Sequence, residues 1–267
     1  MSRMAKRGNI YSWKVSLNRH SYIFKLVVLT LFLTISLISC KKDLSEDVLV
    51  FAAASLSEPL LEIAKKYQKA QVNFDFAGSY TLSNKIRLGA NPDLIIFAGM
   101  DPISDLIKQE YVKEDDVNVL LKNGLTIICS KKIKCPSKKE IFNPGFKISI
   151  ADPDLAPLGK YSKQFIEKNK KWDSIKNQLI FNLDARATLV SVESGNVPIG
   201  IVYSSDALLS NLVEIIFHVE STSIVVEYPV AVIGEEAHYQ KTISFLEYLT
   251  SDESSEIFSK FGFEFLE

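Results

Sequence analysis

Two serines define the chemistry open to this chain. Ser55 closes the run Val50-Phe51-Ala52-Ala53-Ala54-Ser55, and Ser79 closes Phe74-Asp75-Phe76-Ala77-Gly78-Ser79. Each run is β-rich and apolar, narrows to very small residues before the serine, and gives way to a segment with helical spacing. A serine at such a turn can cap the helix and, with the first free amide N–H groups, face a shared oxyanion. Three more turns share the pattern. Asp152-Pro153-Asp154-Leu155-Ala156-Pro157-Leu158-Gly159-Lys160-Tyr161 leaves a strand and enters a helix, with Pro157 near its start and Gly159 open to close backbone approach. Asn182-Leu183-Asp184-Ala185-Arg186 offers Asp184 as a cap, and Gly200–Ala207 ends a strand on the hydroxyl of Tyr203. Ligands of open α/β sheets collect beyond the carboxyl ends of strands, where all five turns fall. Helix capping alone explains any one of them; five in this order point to one shared anion site.

Covalent chemistry is poorly supplied. The sequence has no G-x-S-x-G elbow, G-x-G-x-x-G loop, phosphate-cradling Gly-Lys-Ser/Thr or H-E-x-x-H pair. A lipid-anchored hydrolase using Ser55 or Ser79 needs a histidine or lysine base, and nothing sets one beside either serine. His218 sits in the alternating run Ile215–Glu220 as a strand histidine, and His238 follows Glu235-Glu236-Ala237 as a helix-start surface residue. Neither lies near the cysteines in sequence, so no metal cation site is expected.

The elements that must position the turns alternate in kind. Strands are expected at Val48–Ala53, Val72–Ala77, Leu94–Ala98, Leu125–Cys129, Lys147–Ala151, Leu179–Leu183, Pro198–Tyr203, Glu214–Val219 and Val225–Ile233. Between them lie helical segments such as Leu60–Lys69, where Leu60, Ile63, Ala64 and Tyr67 fall at i, i+3, i+4 and i+7. Pro157–Lys170, Ala185–Glu193, Tyr239–Thr250 and Glu253–Phe261 read as further helices. This alternation implies βαβ units and an α/β fold with open, largely parallel sheets, as one large domain or two lobes. The Lys131–Lys139 stretch, with Pro136, reads as an exposed hairpin near a lobe boundary.

The first 39 residues read as a signal peptide. They hold six basic residues and no acid, then an apolar run from Leu26 to Ile38 that is short of a membrane span. Leu37-Ile38-Ser39-Cys40 resembles a bacterial lipobox, which implies lipidation of Cys40 and cleavage ahead of it. With those six removed from the 31 Lys and Arg, the remainder carries 25 against 32 Asp and Glu, a balance of −7. No basic excess is available for nucleic acid, and an anion must be held by local dipoles. Cys129 and Cys135 are a candidate disulfide in an oxidising exported setting, with two free thiols as the alternative.

Taken together, Phe51-Ala-Ala-Ala-Ser55-Leu56, Phe76-Ala-Gly-Ser79, Gly89-Ala-Asn-Pro-Asp93-Leu, Ala151-Asp-Pro153 with Pro157-Leu-Gly159-Lys-Tyr161, Asp184-Ala-Arg186, Gly200-Ile-Val-Tyr203-Ser-Ser-Asp206-Ala207, Glu227-Tyr-Pro-Val-Ala231-Val and Phe258…Phe261-Gly-Phe263 resemble the molybdate-binding proteins of bacterial ABC transporters. The resemblance spans residues 47–265. It implies a two-lobed periplasmic-binding fold of type II, each lobe a mixed, largely parallel sheet flanked by helices. Lobe I would be 47–128 plus 229–267 and lobe II 129–228, after a signal peptide (1–39) and a lipidated tether (40–46). It also implies a molybdate or tungstate ligand, held by hydroxyl and backbone N–H groups of Ser55 and Ser79, backbone N–H groups of Leu158 and Ala185, and the hydroxyl of Tyr203. Leu158 stands where the family commonly has a small residue and Tyr80 where it often has a small polar one, and both narrow the mouth. The implied protein is a monomeric, membrane-anchored lipoprotein facing outward, without cofactor or chemistry of its own, that serves an ABC permease and its ATPase. The rivals are sulfate or phosphate in the same fold, the serine hydrolase, and a sensor or adhesion lipoprotein with a vestigial pocket.

Overall fold

The computed structural model describes residues 47–220, 222–234 and 239–266. The expected signal peptide and tether, the lipidation position Cys40 and His238 lie outside the described residues. In chain order the strands are β1 (Val48–Ala53), β2 (Val72–Ala77), β3 (Leu94–Ile96), β4 (Asn118–Asn123), β5 (Leu125–Ser130), β6 (Ile148–Ala151), β7 (Leu179–Asn182), β8 (Ile199–Tyr203), β9 (Val213–His218), β10 (Val226–Val232) and β11 (Glu264–Phe265). The helices are α1 (Ser57–Lys66), α2 (Ser79–Arg87), α3 (Asp101–Lys108), α4 (Pro157–Lys168), α5 (Trp172–Ile175), α6 (Ala185–Glu193), α7 (Ser204–Leu209), α8 (Tyr239–Leu249) and α9 (Asp252–Lys260).

The strands form two sheets, ordered β11-β4-β10-β3-β1-β2 and β7-β6-β8-β5-β9. In the first, β1 lies between β2 and β3 in parallel, and its Val-Leu-Val-Phe-Ala-Ala run is almost wholly buried, as a covered parallel strand should be. In the second, β6 lies between β7 and β8 in parallel. The remaining pairings, β10 with β3 and β4, β11 with β4, and β5 with β8 and β9, are antiparallel. Both sheets are therefore mixed, and the parallel half of each is the half whose strand ends carry the serine, proline and aspartate turns.

The helices obey ordinary sequence rules. In α1, Leu60 and Ile63 are fully buried and Tyr67 just past its end nearly so, on one face. Glu58 in its first turn and Lys65 and Lys66 in its last complement the helix dipole. Helix α4 opens on Pro157, and at Gly159 an added Cβ would lie 2.5 Å from both the Asp152 carbonyl carbon and the Pro153 nitrogen. Only glycine lets this helix seat so closely on the chain leaving β6.

The chain passes between the sheets at Asn123–Gly124 and again between His218 and Val226. Lobe II thus begins at β5 and ends with β9, a correction to the expected bounds of 129–228: all of β5 belongs to lobe II and all of β10 to lobe I. The shift has a simple cause: β4 and β5 follow one another with only Gly124 between them, and an apolar run does not reveal which sheet it joins. Lys131–Lys139 forms no hairpin; it is turn and coil, with Lys132 and Lys131 donating to the Ser194 and Asn211 carbonyls. Cys135 in this loop is bonded to buried Cys129, with Cα atoms 5.8 Å apart. Closing so short a loop stabilises the fold by about 2 kcal/mol in the chain-entropy picture. Reduction should lower the unfolding free energy by about that amount in a denaturant titration.

Candidate functional site

The ends of β1, β2, β6, β7 and β8 converge on one small cavity. Ser55, Ser79, Leu158, Ala185 and Tyr203 all line it, beside Ala53, Ala54, Gly78, Ala98, Ala156, Pro157 and Asp184. Ser55, Ser79 and Tyr203 are 6 %, 1 % and 2 % exposed, so the two lobes enclose the space between them. Among the described residues lining this cavity there is no lysine, arginine or histidine.

The expected capping role fails for both serines. Neither hydroxyl bonds a helix amide: Ser55 sits in the short 3-10 turn Ala54–Leu56, and Ser79 is the first residue of α2, with Gly78 at its cap position. Ser79 Oγ instead accepts the Ala98 amide at 3.0 Å, which leaves its own proton to donate elsewhere. Ser55 Oγ lies 3.0 Å from Tyr228 Oη. Asp184 does cap, accepting the Ala187 amide at 2.9 Å, and the Ala185 amide begins α6. Leu158 is the second residue of α4. Amides in such first turns have no partner within the helix. Tyr203 Oη is buried and has no hydrogen-bond partner among the described residues. Burial, then the neighbouring Tyr228, pushes its ionisation far up, so it remains a neutral hydroxyl. Residues with hydroxyls and first-turn amides thus line one small space, with an orphaned hydroxyl whose desolvation a ligand oxygen would offset.

Contacts across the cleft fix the closed arrangement. Glu58 of α1 pairs with Arg186 of α6 at 3.0 Å, and Asp101 of α3 pairs with Lys160 of α4. Tyr80 Oη donates to Asp101 at 3.2 Å, so it serves the rim rather than the cavity wall. The Lys160 hydrogen bond holds the Asp101 carboxyl below its usual range, and burial pushes Tyr161, beside it, up to about 12. Thr81 Oγ1 reaches the Leu155 carbonyl at 3.4 Å. Because Glu58 and Arg186 are 39 % and 44 % exposed, their pair contributes well under about 1 kcal/mol. Arg186→Gln should weaken ligand binding less than about fivefold by calorimetry.

Four further contributors are only weakly marked in the sequence. Tyr228 and Asn123 lie behind Ser55, with Asn123 Nδ2 3.4 Å from Tyr228 Oη. Gly78 approaches the Leu155 carbonyl of the other lobe, where an added Cβ would lie 2.5 Å away. Asp206 is 3 % exposed with one oxygen unpartnered, and burial raises its pKa to about 7 against the opposing pull of Arg186. The available signals were slight: a tyrosine before a strand proline, and an aspartate within the apolar start of a short helix.

Two lobes joined by two crossings and closing on a small cavity define a binding protein of the two-lobed class. The sequence matches the bacterial extracellular solute-binding protein family over residues 48–264, and the chain belongs to that family. It is 29 % identical over 253 residues to the putative ABC transporter substrate-binding lipoprotein YvgL of Bacillus subtilis, covering 91 % of this chain and 97 % of the relative. It is 33 % identical over 229 residues to the molybdate-binding protein ModA of Escherichia coli, covering 81 % and 88 %. The solved substrate-binding domain of a putative molybdenum ABC transporter from Clostridium difficile superposes with a TM-score of 0.64 at 27 % identity, covering 83 % of this chain and 99 % of that one.

Proposed function

We propose that this chain is the molybdate-binding component of an ABC importer, taking tungstate as well, with no chemistry of its own. The observation that carries the proposal is the meeting of Ser55, Ser79, Leu158, Ala185 and Tyr203 around one buried, cation-free cavity. In this reading both serines and Tyr203 donate from hydroxyls, and the Leu158 and Ala185 amides donate from the first turns of α4 and α6, whose dipoles favour a negative charge. Neutral donors suffice for a dianion when every oxygen is satisfied, and they fit a chain whose net charge would repel one. The named relatives support molybdate within the set of tetrahedral dianions. Molybdate and tungstate are nearly the same size, so the site separates them little; sulfate is smaller and stretches the donors.

Closure of the lobes would present the loaded form to a permease and its ATPase. Cys40 would carry the lipid that holds this monomer at the outer side of a membrane, a reading supported by the lipobox and by the lipoprotein named among its relatives. The hydrolase alternative is weakened by the partners of its serines, a tyrosine and a backbone amide, neither of which is a general base at neutral pH. Tyr203→Phe tests the site: losing one hydrogen bond to a charged ligand should raise the molybdate Kd about 10- to 100-fold in calorimetry. An unchanged Kd would remove Tyr203 from the ligand set.

A further inference from the structure

The hydroxyl of Ser55 can point its proton either way, and what stands behind it decides which. Asn123 ends β4 at the first crossing between lobes and is buried. Its Oδ1 faces two groups that can only donate, the Gly124 amide at 2.8 Å and the Ser205 amide at 3.4 Å. That fixes the amide orientation, since the flipped form would set NH2 against N–H twice. Its Nδ2 therefore donates, to Ser205 Oγ at 2.8 Å and to Tyr228 Oη at 3.4 Å. Tyr228 Oη, fully buried, accepts from Asn123 and among the described residues finds only Ser55 Oγ, at 3.0 Å, to take its single proton. Ser55 then accepts from behind and has its own proton for the cavity.

We infer that Tyr228, held by Asn123, fixes Ser55 as a permanent donor and so makes the cleft discriminate against tetrahedral oxyanions that carry a proton. The inference rests on the oxyanion reading above. A hydroxyl free to rotate can accept a bond from a protonated ligand; one locked as a donor meets the ligand's O–H with its own, and a buried donor is left unpaired. Ser79 is locked in the same sense by the Ala98 amide. Molybdate and monohydrogen phosphate carry the same charge at pH 8, so their affinity ratio reports the proton and not the net charge. Tyr228 and Asn123 are positioning residues in this scheme; Ser55 is the group that touches the ligand.

The test is calorimetry of the full chain with molybdate and with inorganic phosphate at pH 8, for wild type, Tyr228→Phe, Asn123→Asp and Ser55→Ala. Tyr228→Phe keeps the ring and frees Ser55 to rotate; the ratio of phosphate Kd to molybdate Kd should fall at least tenfold. Asn123→Asp turns the tyrosine proton away from Ser55 while keeping Tyr228 in place, and should lower the ratio in the same direction even if Tyr228→Phe fails to fold. In a Ser55→Ala background the effect of Tyr228→Phe on the ratio should vanish, which a merely structural role would not produce. An unchanged ratio in the foldable single variants, or an effect that persists without Ser55, overturns the inference. If wild type binds no tetrahedral oxyanion, the proposed function itself fails, a result distinct from either.

Discussion

Replacing Gly78 with alanine should abolish tight ligand binding while leaving both lobes folded. Gly78 has φ −61° and ψ 136°, a conformation that alanine adopts freely. The three atoms nearest the added Cβ all belong to the other lobe. It would stand 2.5 Å from the Leu155 carbonyl oxygen, 3.0 Å from Ala156 Cβ and 3.2 Å from the Leu183 carbonyl oxygen, all in lobe II. Two of these three are backbone atoms that cannot swing aside. The cost therefore falls on closure and not on folding, and a methyl that props the lobes apart pulls the Leu158 and Ala185 amides away from Ser55 and Ser79. Since hydrogen bonds to a charged group contribute about 1.5–3 kcal/mol each, losing even two of them weakens binding by roughly 100-fold or more. The unliganded melting temperature should hold or rise slightly, because alanine restricts the unfolded chain. Wild-type affinity in this variant, or global unfolding by circular dichroism, would contradict the closed-cleft account.

The second large effect concerns pH. Asp206 lies one helical turn past Tyr203, buried, with one carboxyl oxygen unpartnered and a pKa raised from 3.8 to about 7 by burial. The folded chain therefore holds a proton on this group through a range in which the unfolded chain releases it. The stability it contributes is complete below about pH 3.8 and is lost as pH rises through 7, a loss of about 4 kcal/mol by pH 8. Asp206→Asn removes that titration. The difference in unfolding free energy, variant minus wild type, should climb between pH 4 and pH 8, with the variant the more stable at the upper end. A difference that stays flat with pH would show that the Asp206 carboxyl titrates alike in both states.

The alternating pattern made most of the fold legible. The β1, β6 and β8 runs are continuous and largely apolar, β2 alternates apolar and polar residues, and the Leu60–Tyr67 spacing marks α1, because the periodicity a buried face requires is written locally. The lobe boundaries were less legible, since the pairing of β5 with β8 and β9 rather than with β4 is a long-range choice that no local period records. The same divide runs through the site. Ser55, Ser79 and Tyr203 stand at strand ends, where sequence signals turns and hydroxyls. Asn123 and Tyr228 act through contacts across 82 and 105 positions of chain, and only the folded arrangement brings them together. The cleft-closing role of Gly78 was hidden for a related reason: its crowding comes from carbonyl groups of another lobe.

The central claim is that one tetrahedral dianion sits between the lobes, held by neutral donors. Isothermal titration of the chain with molybdate, tungstate, sulfate and phosphate at pH 8 tests it most directly. The account predicts one tight site per chain for molybdate, near-equal affinity for tungstate, and markedly weaker binding of sulfate and phosphate. Tight binding of sulfate with no heat from molybdate would contradict it.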